Sequence, residues 1–178
     1  FCDHIGLPLG ALYISNTDPA ATAVALEHTE QLCSPSHPSE GEKMSCHGKL
    51  HSLYVHHIKD SASKRQGNDW VSRLNGCITN ATGGMLTSLD ISHNGLQEKV
   101  AGIVDAIETS CPSLLSLNLA GNDIGFAGAE VVSQFMQYNT RLTDLDVSLN
   151  HIQAVGALVL CSVLDDSNAL RRLDISFN

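Results

Sequence analysis

Seven of the nine histidines fall within the first 57 residues, and the stretch "CSPSHPSEGEKMSCHG" sets Cys33, His37, Cys46 and His47 in one segment. Thiolate and imidazole are the groups that hold structural zinc. The spacing C-x3-H-x8-C-H, however, is not a familiar zinc pattern, and adjacent Cys46 and His47 would need a sharp turn to reach one ion. His51, His56 and His57 follow closely, but neighbours on an extended strand face opposite ways, so His56 and His57 do not converge on one ligand. The Ser, Pro and charge content of the segment favours a loop, free or ordered by a partner, over a metal centre. Cys33, His37, Cys46 and His47 therefore stand as candidate ligands only, and no metal or other cofactor is expected.

No other catalytic chemistry emerges. The chain lacks a nucleophile signature and an HExxH stretch. The glycines of "AGNDIGFAGAE" (120–130) imitate a phosphate loop but lack the Lys and Ser or Thr that would follow. An enzyme is not expected. The 178 residues carry a formal net charge of -9, and residues 86–178 hold eleven acids against four bases. That balance argues against nucleic acid, whose binding rests on neutralising phosphates, and for a protein partner with a basic segment. The longest apolar run, "AVGALVLCSVL" (154–164), is too short for a membrane span of roughly 20 residues and reads as a buried helix. "FCDHIGLPLG" at the start has neither an initiator Met nor a signal-peptide pattern, and reads as a piece whose true start lies upstream. Six scattered cysteines in a chain of this size point to reduced thiols and a cytoplasmic protein, and the one sequon, at Asn80, weighs little against that.

The elements that must position such residues come from a repeat. "LTSLDISHN" from 86, "LLSLNLAGN" from 114, "LTDLDVSLN" from 142 and "LRRLDISFN" from 170 recur every 28 residues. Each has an apolar first, fourth and sixth residue and Asn ninth: Asn94, Asn122, Asn150 and Asn178. Between them, apolar or small residues fall at helical spacing: Val100, Ile103, Val104, Ile107; Gly128, Val131, Val132, Phe135; Gly156, Val159, Leu160, Val163. Each unit is thus a short strand followed by a helix of about three turns. The first glycine of the latter two sets would let the helix start lie close against the strand layer.

Upstream the pattern degrades. "LGALYISNT" (9–17) and "LHSLYVHHI" (50–58) keep the apolar places but put Thr17 and Ile58 where Asn belongs. Inserted loops are expected at about 34–48 and 60–69, and Trp70 should anchor the second unit's helix with Val71 and Leu74. Residues 1–178 are therefore read as a single repeat domain: two degenerate units over 1–85, then regular ones over 86–178.

Such a unit cannot bury its apolar stripe alone. Stacked units form a parallel sheet with a helix layer behind it, an α/β solenoid of about six units with one sheet face open. The last unit stops after its strand, so Leu170, Leu173 and Ile175 should lack a cover, and the chain reads as part of a longer array. The Asn column is assigned to a structural ladder that answers backbone groups where the chain leaves the sheet.

In their period and in "LTSLDISHNGL", "LLSLNLAGNDI" and "LTDLDVSLNHI", the units resemble the ribonuclease-inhibitor-like class of leucine-rich repeats. That class includes ribonuclease inhibitor, the Ran GTPase-activating protein and the repeat regions of NOD-like receptors. The resemblance implies a horseshoe that binds proteins with its concave face and adjacent loops. The alternatives are a GTPase-activating domain similar to the Ran protein and a structural arm within a large assembly.

On the concave face the fifth place of each unit forms a column of Tyr13, Tyr54, Asp90, Asn118, Asp146 and Asp174, running from aromatic to acidic. The seventh place gives Ser15, His56, Ser92, Ala120, Ser148 and Ser176, expected to be small outward residues that leave larger ones accessible. Tyr13, Tyr54 and His56 with Asp90, Asn118, Asp146 and Asp174 are the candidate binding residues: aromatic anchors beside carboxylates that would steer a basic segment. The competing account is that an open sheet face must simply be polar.

Overall fold

A computed structural model describes residues 10–15, 22, 50–58, 70–81, 85–165 and 169–178. The two expected loops, and with them Cys33, His37, Cys46 and His47, lie outside the described residues. The strands are β1 (Ala11–Ser15), β2 (Ser52–His56), β3 (Ser88–Asp90), β4 (Ser116–Asn118), β5 (Asp144–Asp146) and β6 (Arg172–Asp174). They form one parallel sheet in sequence order. The register aligns the fourth-place leucines in a row, Leu12 with Leu53, then Leu89, Leu117, Leu145 and Leu173. Because side chains alternate along a strand, that row turns inward while the third and fifth places face out.

The described helices are α1 (Trp70–Gly76, continued by a π turn Cys77–Ala81), α2 (Val100–Ser110, preceded by a 3-10 turn Gln97–Lys99), α3 (Gly125–Tyr138) and α4 (Gln153–Ser162). The core lies between the layers. Leu53, Leu89, Ile91, Leu119 and Val147 meet Leu74, Ile103, Val132 and Phe135 there, all essentially inaccessible. Each such side chain contributes about 1.5–3 kcal/mol by leaving water. Trp70 is buried with Val71 and Leu74 at the start of α1. In α3 the stripe is Gly128, Ala129, Val132, Phe135 and Met136, with Val131 only half-buried at its edge.

The helix glycines serve a different contact from the one expected. A Cβ on Gly128 would stand 2.4 Å from Cβ of Ile124, in the turn that enters α3. On Gly156 it would meet Ile152 at 2.8 Å and Ala129 of the preceding helix at 3.1 Å. The close approach is to the entry turn and the neighbouring helix, not to the strands. Leu170, Leu173 and Ile175 are half-buried against the core.

Candidate binding face

The strands are short because the chain turns as soon as the fifth residue is passed, and the fifth residue makes that turn. Oδ1 of Asp90 accepts the Ser92 N–H at 3.0 Å, and Oδ1 of Asn118 accepts that of Ala120 at 2.9 Å. Asp146 does the same for Ser148 and Asp174 for Ser176, each at 2.9 Å. A short side-chain oxygen answering a backbone donor two residues on is the Asx turn. The acidic column thus has a local structural cause. Three of the four residues it captures are not the outward ones expected: Ser92, Ala120 and Ser148 are buried, because the backbone has left the sheet plane by the seventh place, while Ser176 is exposed.

The eighth place turns further. His57, His93, Gly121, Leu149 and Phe177 all have φ between 51° and 66°. Positive φ recurs at the tenth place, in Gly95, Asp123 and His151, and at the twelfth, in Gln97, Gly125 and Gln153. Most of these are not glycine, and at His93, Gly121, Leu149, Gln97 and Gly125 the N–H donates to a carbonyl of the next coil, as His93 does to Ala120 at 2.8 Å and Gln97 to Asn122 at 2.9 Å. His57 and His93 stack at 4.9 Å, and the His93 ring lies over Gly121 so closely that a Cβ there would be 2.4 Å from its Nδ1.

Behind that turn stand the asparagines. Asn122 and Asn150 are fully buried. Nδ2 of Asn122 donates to the Leu119 carbonyl in its own coil and the Ile91 carbonyl in the coil before, while its Oδ1 accepts the N–H of Asn94 at 3.0 Å. Asn150 and Asn178 repeat the arrangement. In β2's coil, where Ile58 replaces Asn, the position is filled by a buried apolar side chain and the Ile58 N–H still reaches Oδ1 of Asn94 at 2.9 Å.

On the open face, Tyr13 and Tyr54 stack with ring centroids 4.2 Å apart and planes within 2°. Tyr13 is 69% exposed. The neighbouring Tyr54 hydroxyl, by hydrogen bonding first and partial desolvation second, raises the Tyr13 phenol above its ordinary pKa. His56 lies farther along, 6.3 Å from Tyr54, with Nδ1 at 2.9 Å from Ser92 Oγ and 3.5 Å from Asp90 Oδ1. Oδ2 of Asp90 accepts from Asn118 Nδ2 at 2.9 Å. Of the candidate residues, Tyr13, Tyr54 and His56 form one group, Asp90 and Asn118 join it to the middle of the sheet, and Asp146 and Asp174 stand beyond. Ser176, through its hydroxyl and its N–H, holds the Asp174 carboxyl below the usual range, and Arg172 adds to this.

Sequence reasoning passed over the third place, which faces the same way as the fifth. There Asp144 receives Arg172 Nε at 3.0 Å and the Thr143 hydroxyl at 2.7 Å. Strand alternation alone was the signal that would have found them. The third and fifth places together line a depression of ≈ 260 Å³ that runs from Tyr54 to Arg172 across β3, β4 and β5. Among the described residues no three metal-binding side chains cluster, and no helix is long and apolar enough to cross a membrane.

This architecture is that of a leucine-rich-repeat solenoid, with strands on the inside and helices behind. The family model described as "Leucine Rich repeat" matches residues 85–99, 110–133 and 138–161. Among solved structures the chain is similar to "Leiomodin-1 Actin-Binding Site 2 (ABS2)", at 15% identity over 86% of this chain and 78% of that one, with a TM-score of 0.59. It is also similar to the tropomodulin C-terminal domain of Caenorhabditis elegans, at 14% identity over 85% and 83% of the two chains, with a TM-score of 0.58. At such identities the likeness concerns the fold. No curated protein matches the chain in sequence.

Proposed function

We propose that this chain is a non-catalytic protein-interaction module, cytoplasmic and of the ribonuclease-inhibitor-like class, that holds a partner with a basic segment against its open sheet face. The observation that carries the reading is the stacked Tyr13–Tyr54 pair, Tyr13 largely exposed and Tyr54 half-buried, on a sheet face that no described helix covers, at one end of a row ending in Asp146 and Asp174. Aromatic side chains held rigid by stacking bind at low entropic cost, and a carboxylate row steers cations while repelling phosphates.

The test is site-specific photo-crosslinking. A crosslinker at Tyr13 or Ser88, on the open face, should capture a protein that one at Glu108 or Gln134, exposed on the helix layer, does not. The Tyr54→Ala and Asp146→Ala substitutions should abolish the adduct. Adducts only from the helix positions would sink the reading. Since one structural neighbour is described as an actin-binding site, co-sedimentation with actin filaments is a natural first partner assay. Acceleration of GTP hydrolysis by a candidate GTPase would instead favour the GTPase-activating alternative.

A further inference from the structure

We infer that the depression on the open face is a socket for one arginine side chain of the partner, with Tyr54 taking its stem and Asp146 its guanidinium; this rests on the binding-face reading above. The floor is low because the third place holds only serine on β3 and β4, Ser88 and Ser116. Tyr54 forms one wall, one ring face already covered by Tyr13 and the other directed along the sheet. Asp144, Asp146 and Arg172 form the opposite wall.

The carboxylates and the amide along the socket are nearly all engaged. Asp90 gives one oxygen to Ser92 N–H and the other to Asn118 Nδ2, and Asn118 spends its own oxygen on Ala120 N–H. Asp144 is held by Arg172 Nε and the Thr143 hydroxyl. Asp146 differs: Oδ1 accepts from Ser148, and Oδ2 has no partner among the described residues. One oxygen of a lining carboxylate is therefore unanswered, in a depression where three carboxylates (Asp90, Asp144, Asp146) meet a single guanidinium, that of Arg172.

The dimensions fit a long cationic side chain. From β2 to β5 is three strand steps, about 14 Å at about 4.8 Å each. About 4 Å of contact with the ring and a hydrogen bond of about 3 Å to the carboxylate leave about 7 Å between them, which an extended arginine side chain bridges. Arginine is the better occupant than lysine because its flat, weakly hydrated head presents several fixed donors to the carboxylate end of the socket.

A capped pentapeptide, Gly-Gly-Arg-Gly-Gly, titrated into 15N-labelled protein tests this by amide shifts. The expected result is saturable shifts at Tyr54, Ser116, Asn118 and Asp146, at least tenfold weaker with citrulline in place of arginine and severalfold weaker with lysine. Asp146→Asn should weaken binding about tenfold while the fold is unchanged, because Asn at this place keeps the turn, as Asn118 does on β4. Tyr54→Leu should weaken it similarly. The socket is overturned if the citrulline peptide binds as well, if the shifts fall off the open face, or if none appears up to about 10 mM. Should that happen while crosslinks at Tyr13 and Ser88 persist, only the socket falls; if those also vanish, the binding-face reading falls with it.

Discussion

Oδ1 of Asn150 accepts the backbone N–H of Asn122 at 2.8 Å, so the side chain of one coil completes the turn of the coil 28 residues before it. The same oxygen lies 3.5 Å from the Ile124 N–H, and Nδ2 of Asn150 returns to the Leu119 carbonyl at 2.9 Å. One buried amide thus ties two coils together in both directions.

Replacing Asn122 by Ala should lower stability by about 2–3 kcal/mol, since buried backbone groups on both sides lose their partners. The same change at Asn178, whose side chain water can reach, should cost less than half as much. Chemical denaturation of both variants checks the ratio; equal losses would show that burial is not what gives the ladder its strength.

Gly121 combines a φ of 66° with a histidine ring leaning over it. Gly121→Ala should destabilise by about 1–3 kcal/mol, from the left-handed backbone and the displaced ring together. Adding His93→Ala should restore the part due to the ring and leave the backbone part, read from a double-mutant cycle of melting data. No recovery would place the whole cost in the backbone.

The Tyr13 phenol should titrate above 10.0, the ordinary value, when followed by ultraviolet absorbance, and Tyr54→Phe should bring it back down. The raised pKa means that the folded chain holds this proton more tightly than the unfolded one. Its contribution to stability is whole below 10.0 and is lost as pH rises through the folded value. A titration unmoved by Tyr54→Phe would deny the coupling.

The Arg172–Asp144 pair is mostly exposed on the arginine side, at 74%. Arg172→Ala should therefore change stability by no more than about 0.5 kcal/mol. A loss well above that in a thermal melt would mean that the pair does more than sit on the surface.

Much of this was legible in the sequence, for a physical reason. The leucines at the first, fourth and sixth places obey strand alternation, and the helical stripes obey a 3.6 period; both follow from local geometry and reappear as the core. The left-handed turns were hidden because His57, His93, Leu149 and Phe177 are not residues that seek positive φ. At His93 and Leu149 the N–H is bound by the next coil, a contact that no single-residue preference reports. The Asp column was read as surface charge when its Oδ1 atoms were closing turns two residues ahead, although "DIS" and "DVS" in successive units carried that signal. Asp144 and Arg172 were passed over because the fifth place was followed down the sheet and the third was not.

The asparagine ladder also has a direction in time. On a chain emerging from the ribosome N-terminus first, the coil that holds Asn122 waits for Asn150 before its Asn122 N–H is answered, and the coil of Asn150 waits for Asn178. Each of these turns is completed by its successor, so neither can close before the next asparagine, 28 residues on, has been made.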